Sequence, residues 1–316
     1  MTGALTREWL APFPVDVHLT LSAFGRGLGD PTYQVDDAGA VWRTSLTPDG
    51  PGTIRILPAA PAATGLAARV IAHAWGQGGG WLLDALPAAL GSHDDVSGFD
   101  PASHPVLHRV TRRHPGFRVG RSGRLAEALV PAILEQKVVS LEAHRAWKIL
   151  LTRYGTPPPG PAPRGMRVFP PPETWRAIPS WEWHKAGVEG VRAQTIINAA
   201  RVAPSLERLL ISPEEAGPEE AGRKLRTLPG IGPWTSAETL QRAAGDPDAV
   251  SVGDYNLPKA VGYALAGREA TDDKQMLELL EPYKGHRHRV ARLVQLSGLR
   301  PPRRGPRMPV RDYRGF

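Results

Sequence analysis

The chain has 316 residues, 41% hydrophobic and 22% charged, a balance that suits one or two folded domains and excludes disorder over most of the length. It has no cysteine, which excludes disulfides, thiol nucleophiles, thiolate zinc sites and cysteine-held iron–sulfur clusters; catalysis must rest on carboxylates, histidines, lysines or hydroxyls. The net charge is +8, and no apolar run approaches the roughly 20 residues that span a bilayer.

From the N-terminus, MTGALTREWL lacks the basic start and continuous apolar core of a secretory signal, so a cytoplasmic protein is expected. VDVHLTL (Val15–Leu21) alternates apolar and polar positions and predicts a half-buried strand. GRGLGDP (Gly25–Pro31) is glycine-rich like a phosphate loop. It lacks the dinucleotide spacing and the Lys–Ser/Thr of a triphosphate loop, so a plain turn is expected. VWRTSL (Val41–Leu46) and TIRIL (Thr53–Leu57) predict two more strands around the turn PDGPG. A helical pattern over Leu66–Trp75 and a break at GQGGG complete a small domain with an antiparallel sheet, residues 1–100.

Residues 101–300 read as helices. RLAEALVPAILEQKV and SLEAHRAWKILLTRYG carry apolar residues at helical spacing, the second ending at Gly155. TPPPGPAPRGMRVFPPP predicts an exposed, mobile loop. Helices follow around Glu173–Trp183, Arg192–Ala203 and from the acidic stretch Glu214–Glu220 to Leu228, then at Leu257–Ala266, Asp273–Leu280 and Arg287–Leu296. The expected fold class is mostly α with an N-terminal α+β domain. His104 and His108 have a metal-compatible helical spacing with His114 beyond, but Pro105 interrupts them and no acid is near, so no metal is expected. From His286 onward there are nine arginines against one acid, Asp312, an excess equal to the whole net charge. The end of this stretch, residues 301–316, is too rich in proline and arginine for a core. It reads either as a handle for a polyanion or as a solubilising tail.

Two segments carry the chemistry. In LPGIGPWTSAETL (Leu228–Leu240) a helix ends, a Pro-Gly-x-Gly turn follows, and Pro233 stands where a proline opens a second helix. Gly230 and Gly232 have no Cβ and allow close approach of another molecule. The first amides of the new helix are unpaired and favour an anion, so the hairpin can hold one phosphate without reading a base. By itself it also reads as an ordinary turn between packed helices. In SVGDYNLPKAV (Ser251–Val261), Asp254 stands just before a helix whose exposed amides can fix its carboxylate, and by itself it reads as a helix cap.

Together, the hairpin, the aspartate and Lys259 five residues beyond it resemble the helix-hairpin-helix DNA glycosylases, above all the 3-methyladenine DNA glycosylase II family. LVPAILEQKV (Leu129–Val138), FPPPETWRAIP and GVRAQTIINAAR match in order and spacing, covering residues 100 to 300, and the N-terminal strands resemble that family's extra β domain. The resemblance implies a monomer that excises damaged, alkylated bases from double-stranded DNA in base excision repair. Asp254 would be the catalytic carboxylate. Gly230, Ile231, Gly232, Thr235 and Lys259 would contact the DNA backbone, and the Gln136–Lys137 tip would enter the duplex. No cofactor is implied beyond a potassium or sodium ion on hairpin carbonyls. Glycosylases that also nick the strand carry a lysine where this chain has Trp234, so base removal without lyase activity is implied. Trp234 and Tyr255 would line the base pocket, although a core tryptophan is also compatible with the sequence. The chain departs from the family at Glu238, where a tyrosine can stand, and at Gln295, where a pocket tryptophan is expected. Both become candidate base contacts. The alternatives are a non-catalytic helix-hairpin-helix DNA-binding protein and a glycosylase for deaminated or bulky lesions.

Overall fold

The computed structural model describes residues 3–61, 68–210 and 217–302. Most of the arginine-rich end, residues 303–316, and the first acids of the Glu214–Glu220 stretch lie outside the described residues. The N-terminal part runs β1 (Leu5–Ala11), α1 (Val17–Leu21), β2 (Tyr33–Val35), β3 (Val41–Thr47), β4 (Gly50–Ile56), β5 (Ala60–Pro61), β6 (Ala68–Trp75) and α2 (Gly79–Ala89). The strands form one antiparallel sheet of order β1-β6-β4-β3-β2, with β5 also on β6. Val41, Ile54, Ile56 and Val70 face Leu83 and Leu86 of α2 and make its core.

The remainder is helical: α3 (Pro105–Arg113), α4 (Leu125–Leu134), α5 (Ser140–Tyr154), α6 (Pro172–Ala177), α7 (Ser180–Lys185), α8 (Gly190–Arg201), α9 (Ala203–Arg208), α10 (Pro218–Leu225), α11 (Pro233–Ala243), α12 (Leu257–Ala266), α13 (Asp273–Leu280) and α14 (Arg287–Leu296). One core gathers Leu129 and Ile133 of α4, Trp147 and Leu150 of α5, Ile196 of α8 and Leu240 of α11. Another lies between α3, α12, α13 and α14, with Leu107, Val261, Met276, Leu280 and Val290. Glu127 on α4 accepts from the Ser45 hydroxyl at 2.7 Å and the Leu46 amide at 2.8 Å, joining helices to sheet. Arg289 of α14 grips both oxygens of Asp94, at 2.9 and 2.5 Å, with the two side chains 3% and 0% exposed. The Val119 amide adds a third bond to Asp94 at 2.8 Å.

The mostly helical fold with an N-terminal α+β domain agrees with the expected class. Three local expectations fail. Val15–Leu21 contains a helix: Asp16 caps it by accepting from the Leu19 amide at 2.8 Å, and Val17 and Leu21, four apart, are buried together. The helical pattern over Leu66–Trp75 is strand β6 over its described part, because alanines suit either period and pairing with β1 and β4 on its two sides decides. The proline-rich loop is partly packed: Met166, Val168 and Phe169 are buried, and Phe169 lies between the Trp147 and Trp175 rings.

Candidate nucleic-acid interface

α10 and α11 form the two legs of the hairpin, and the Ser236 hydroxyl donates to the Gly222 carbonyl between them at 3.3 Å. Ile231 is 5% exposed and anchors the turn in the core, while its amide bonds back to the Leu228 carbonyl at 3.0 Å. Gly230 has φ +87°, and a Cβ there would lie 2.3 Å from Thr195 Oγ1 on α8. Gly232 faces open space, Pro233 begins α11, and among the described residues the Gly230 and Gly232 amides have no backbone or side-chain acceptor. The turn thus presents amides outward at a helix N-terminus, a geometry suited to an anion. The Ile231 amide is engaged, and Ile231 and Thr235 are 5% and 2% exposed, so both lie behind the surface that Gly230 and Gly232 present.

Gly230→Ala is expected to destabilise the fold by roughly 1–3 kcal/mol, because alanine meets both the left-handed backbone and Thr195. In denaturant unfolding, Thr195→Ala in the same chain should recover the steric share; no recovery would mean that the backbone carries the whole loss.

The monovalent cation fits the hairpin in donor chemistry. The turn offers neutral carbonyl oxygens; those of Leu228, Gly230 and Gly232 already accept bonds, and those of Pro229 and Ile231 have no donor among the described residues. Among the described residues no group of histidines and acids could hold a metal. His104 instead caps α3, with Nδ1 accepting from the Val106 amide at 3.2 Å.

Asp254 stands twenty residues beyond Trp234, at the entrance to α12. Its Oδ1 accepts from the Asn256 and Leu257 amides, both at 2.8 Å, and its Oδ2 from the Trp234 indole at 3.3 Å. Two amides and one indole therefore fix the carboxylate, which stays half-buried. Trp234 is also half-buried and makes the link between hairpin and carboxylate. Tyr255 is 74% exposed, with Lys259 Nζ 3.8 Å from its ring centroid. The two are brought together at the rim, and Tyr255 is not enclosed in a pocket.

Glu238 lies one turn after Trp234 with both oxygens engaged: Oε2 with Arg242 Nη1 at 2.7 Å and Oε1 with the Ser251 hydroxyl at 2.5 Å. Gln295 is exposed at the end of α14 and accepts from Arg292 at 2.8 Å. Burial, with Arg292, Arg242 and Arg289 beside it, holds the His288 imidazole well below the usual histidine range, so it is neutral at neutral pH. Arg242, Ser251 and Arg292 escaped the sequence reading as site residues. Only Arg242 had a signal there, its position four residues after Glu238 on one helix face.

The α4–α5 loop stands beside the hairpin. Gln136 Nε2 donates to the Gly230 carbonyl at 2.9 Å and to Thr235 Oγ1 at 2.8 Å, so its amide braces the turn. Lys137 is exposed at φ +56°, the one non-glycine residue with positive φ among the described residues. Beneath it, Glu135 meets Arg26 at 3.3 Å and His144 at 3.6 Å. Burial opposes charge on Glu135, but Arg26, His144 and Arg242 outweigh it and hold its carboxyl at about 2. This value lies below the 4.5 of a free glutamate, so the stabilisation is complete above about pH 4.5 and lost as pH falls toward 2. Denaturant midpoints should fall more steeply over that range in the wild-type chain than in Glu135→Gln. Parallel curves would remove Glu135 from the account.

Over 175 residues, 55% of this chain, the sequence is 33% identical to the probable bifunctional transcriptional activator/DNA repair enzyme AlkA of Mycobacterium tuberculosis, in each of two strains. The match covers 33% of those proteins, so the chain spans about a third of the length of these curated relatives. No family model matches. The 3-methyladenine DNA glycosylase from Archaeoglobus fulgidus superposes with a TM-score of 0.72 over 92% of this chain and 98% of that one, at 18% identity. The apo form of the Clostridium acetobutylicum 8-oxoguanine glycosylase/lyase superposes with a TM-score of 0.67 over 93% and 98%, at 11% identity. The chain therefore has the fold of these solved DNA glycosylases and, over 175 residues, is related in sequence to the two AlkA proteins.

Proposed function

We propose that the protein is a monofunctional DNA glycosylase that hydrolyses the N-glycosidic bond of damaged bases in double-stranded DNA, with alkylated bases the first expectation. The observation that carries the reading is the Trp234–Asp254 contact, which ties a fixed carboxylate to the helix that the hairpin turn opens. As the base leaves with the bonding electrons, positive charge develops on the deoxyribose. Asp254 stabilises that charge and takes a proton from the water that adds to the sugar. The hairpin amides hold a backbone phosphate, and a monovalent cation on the Pro229 and Ile231 carbonyls would add positive charge there. Trp234 offers a face to the extruded base, and having no amine it cannot form a Schiff base with the sugar. The protein acts as a monomer.

The second substrate reading is a deaminated base: Glu238, with Oε2 held by Arg242 and Oε1 by Ser251, already has its charge paired and offers a cationic ring less attraction. The test is incubation of the chain with duplexes bearing single alkylated, deaminated or oxidised bases, followed by alkali. Strand scission that appears only after alkali is expected. Scission before alkali, with an adduct trapped by borohydride, would show a lyase. Intact binding with no release from any lesion would show a binding module.

A further inference from the structure

The GRGLGDP segment is tied down everywhere except at its tip. Asp30, 1% exposed, accepts from the Arg26 amide at 2.7 Å, from the Thr32 amide and hydroxyl at 2.8 and 2.9 Å, and from the Trp147 indole at 2.8 Å. Gly27 and Gly29 both adopt φ +77°, and the turn lies flat on α5. A Cβ on Gly27 would come within 2.4 Å of His144 Nδ1, and one on Gly29 within 3.0 Å of Lys148 Nζ. Between them Leu28 is 104% exposed, a leucine held clear of the protein by a rigid turn. An exposed leucine is ordinary on a surface, but here two left-handed glycines and a buried aspartate bonded to the core hold it on a fixed turn, while its own side chain stays in solvent.

That support is continuous with the proposed DNA face. Arg26, 5% exposed, bonds to Glu135, the residue before Gln136 and Lys137, and Gln136 in turn bonds to the hairpin. Lys148, exposed on α5, sets cationic charge at the turn beside Gly29, complementary to phosphate. Lys137 projects from the neighbouring loop, but its ammonium cannot fill the space between stacked bases as an apolar side chain can.

We propose that Leu28 is an apolar finger, supplied by the N-terminal domain, that enters the duplex beside the lesion and covers a base face exposed when the damaged nucleotide is extruded. It rests on the glycosylase reading for the choice of DNA. Apolar side chains inserted at a base step offset unstacking by burying their own surface, and a preorganised turn lowers the ordering cost of insertion. Leu28 touches nothing in the free protein, so its removal should leave thermal stability unchanged.

The test needs no catalysis. The full chain is titrated into a duplex carrying a tetrahydrofuran abasic analogue flanked by 2-aminopurine, whose fluorescence rises on unstacking. Wild type is expected to bind and raise the signal. Leu28→Ala should bind roughly 10-fold more weakly or worse and lose most of the rise, and Leu28→Phe should keep both. Leu28→Ala with wild-type affinity and signal overturns the finger and leaves the glycosylase reading standing, to be judged by excision assays. Absence of any wild-type binding to the duplex overturns both.

Discussion

Asp254→Asn is expected to slow base excision by roughly 100-fold or more while binding to lesion-bearing duplex stays near wild type. Asparagine keeps an oxygen for the Asn256 and Leu257 amides, which hold Oδ1 at 2.8 Å, so the entrance to α12 is preserved. What disappears is the negative charge that the proposed mechanism sets against the sugar, together with the acceptor for the Trp234 indole at Oδ2. Single-turnover excision at saturating protein separates this loss from weaker binding. Excision that survives in Asp254→Asn would sink the role assigned to this residue. A parallel fall in affinity and thermal midpoint would reduce Asp254 to a helix cap.

Asp94→Ala is expected to cost about 3–5 kcal/mol of folding stability. The substitution leaves the Arg289 guanidinium, 3% exposed, bonded to the Asp95 carbonyl and His286 but without its counter-charge, and it takes the acceptor from the Val119 amide. The pair clamps the segment after α2 against α14, so its loss loosens the N-terminal domain from the helical core. A double replacement, Asp94→Leu with Arg289→Met, removes both charges and should cost much less. Urea unfolding of the three chains decides: equal losses in single and double variants would show that packing, not the stranded charge, sets the cost.

Much of the helical part was legible in the sequence because its signals are local. α12, α13 and α14 run between the residues the sequence predicts, and α5 ends at the expected Gly155. The N-terminal domain was less legible. Alternation in VDVHLTL was outweighed by an aspartate cap and an i, i+4 apolar pair, and the alanine-rich β6 is a strand because it has partners on two sides. Neither outcome follows from a short window of residues.

The candidate site divides in the same way. The hairpin, Pro233 at the helix start and Asp254 ahead of α12 were set by the sequence alone, since turns and caps depend on residues a few positions apart. Only the tertiary structure decided what those residues meet. It brought Trp234 onto Asp254, engaged both oxygens of Glu238, left Tyr255 at the rim and turned Gln136 into a brace for the hairpin. It also stood Leu28, in a segment read as a plain turn, on a buried aspartate next to the proposed DNA face. These contacts join residues distant in the chain, and their energy comes from burial and pairing that exist only once separate helices and the sheet have packed.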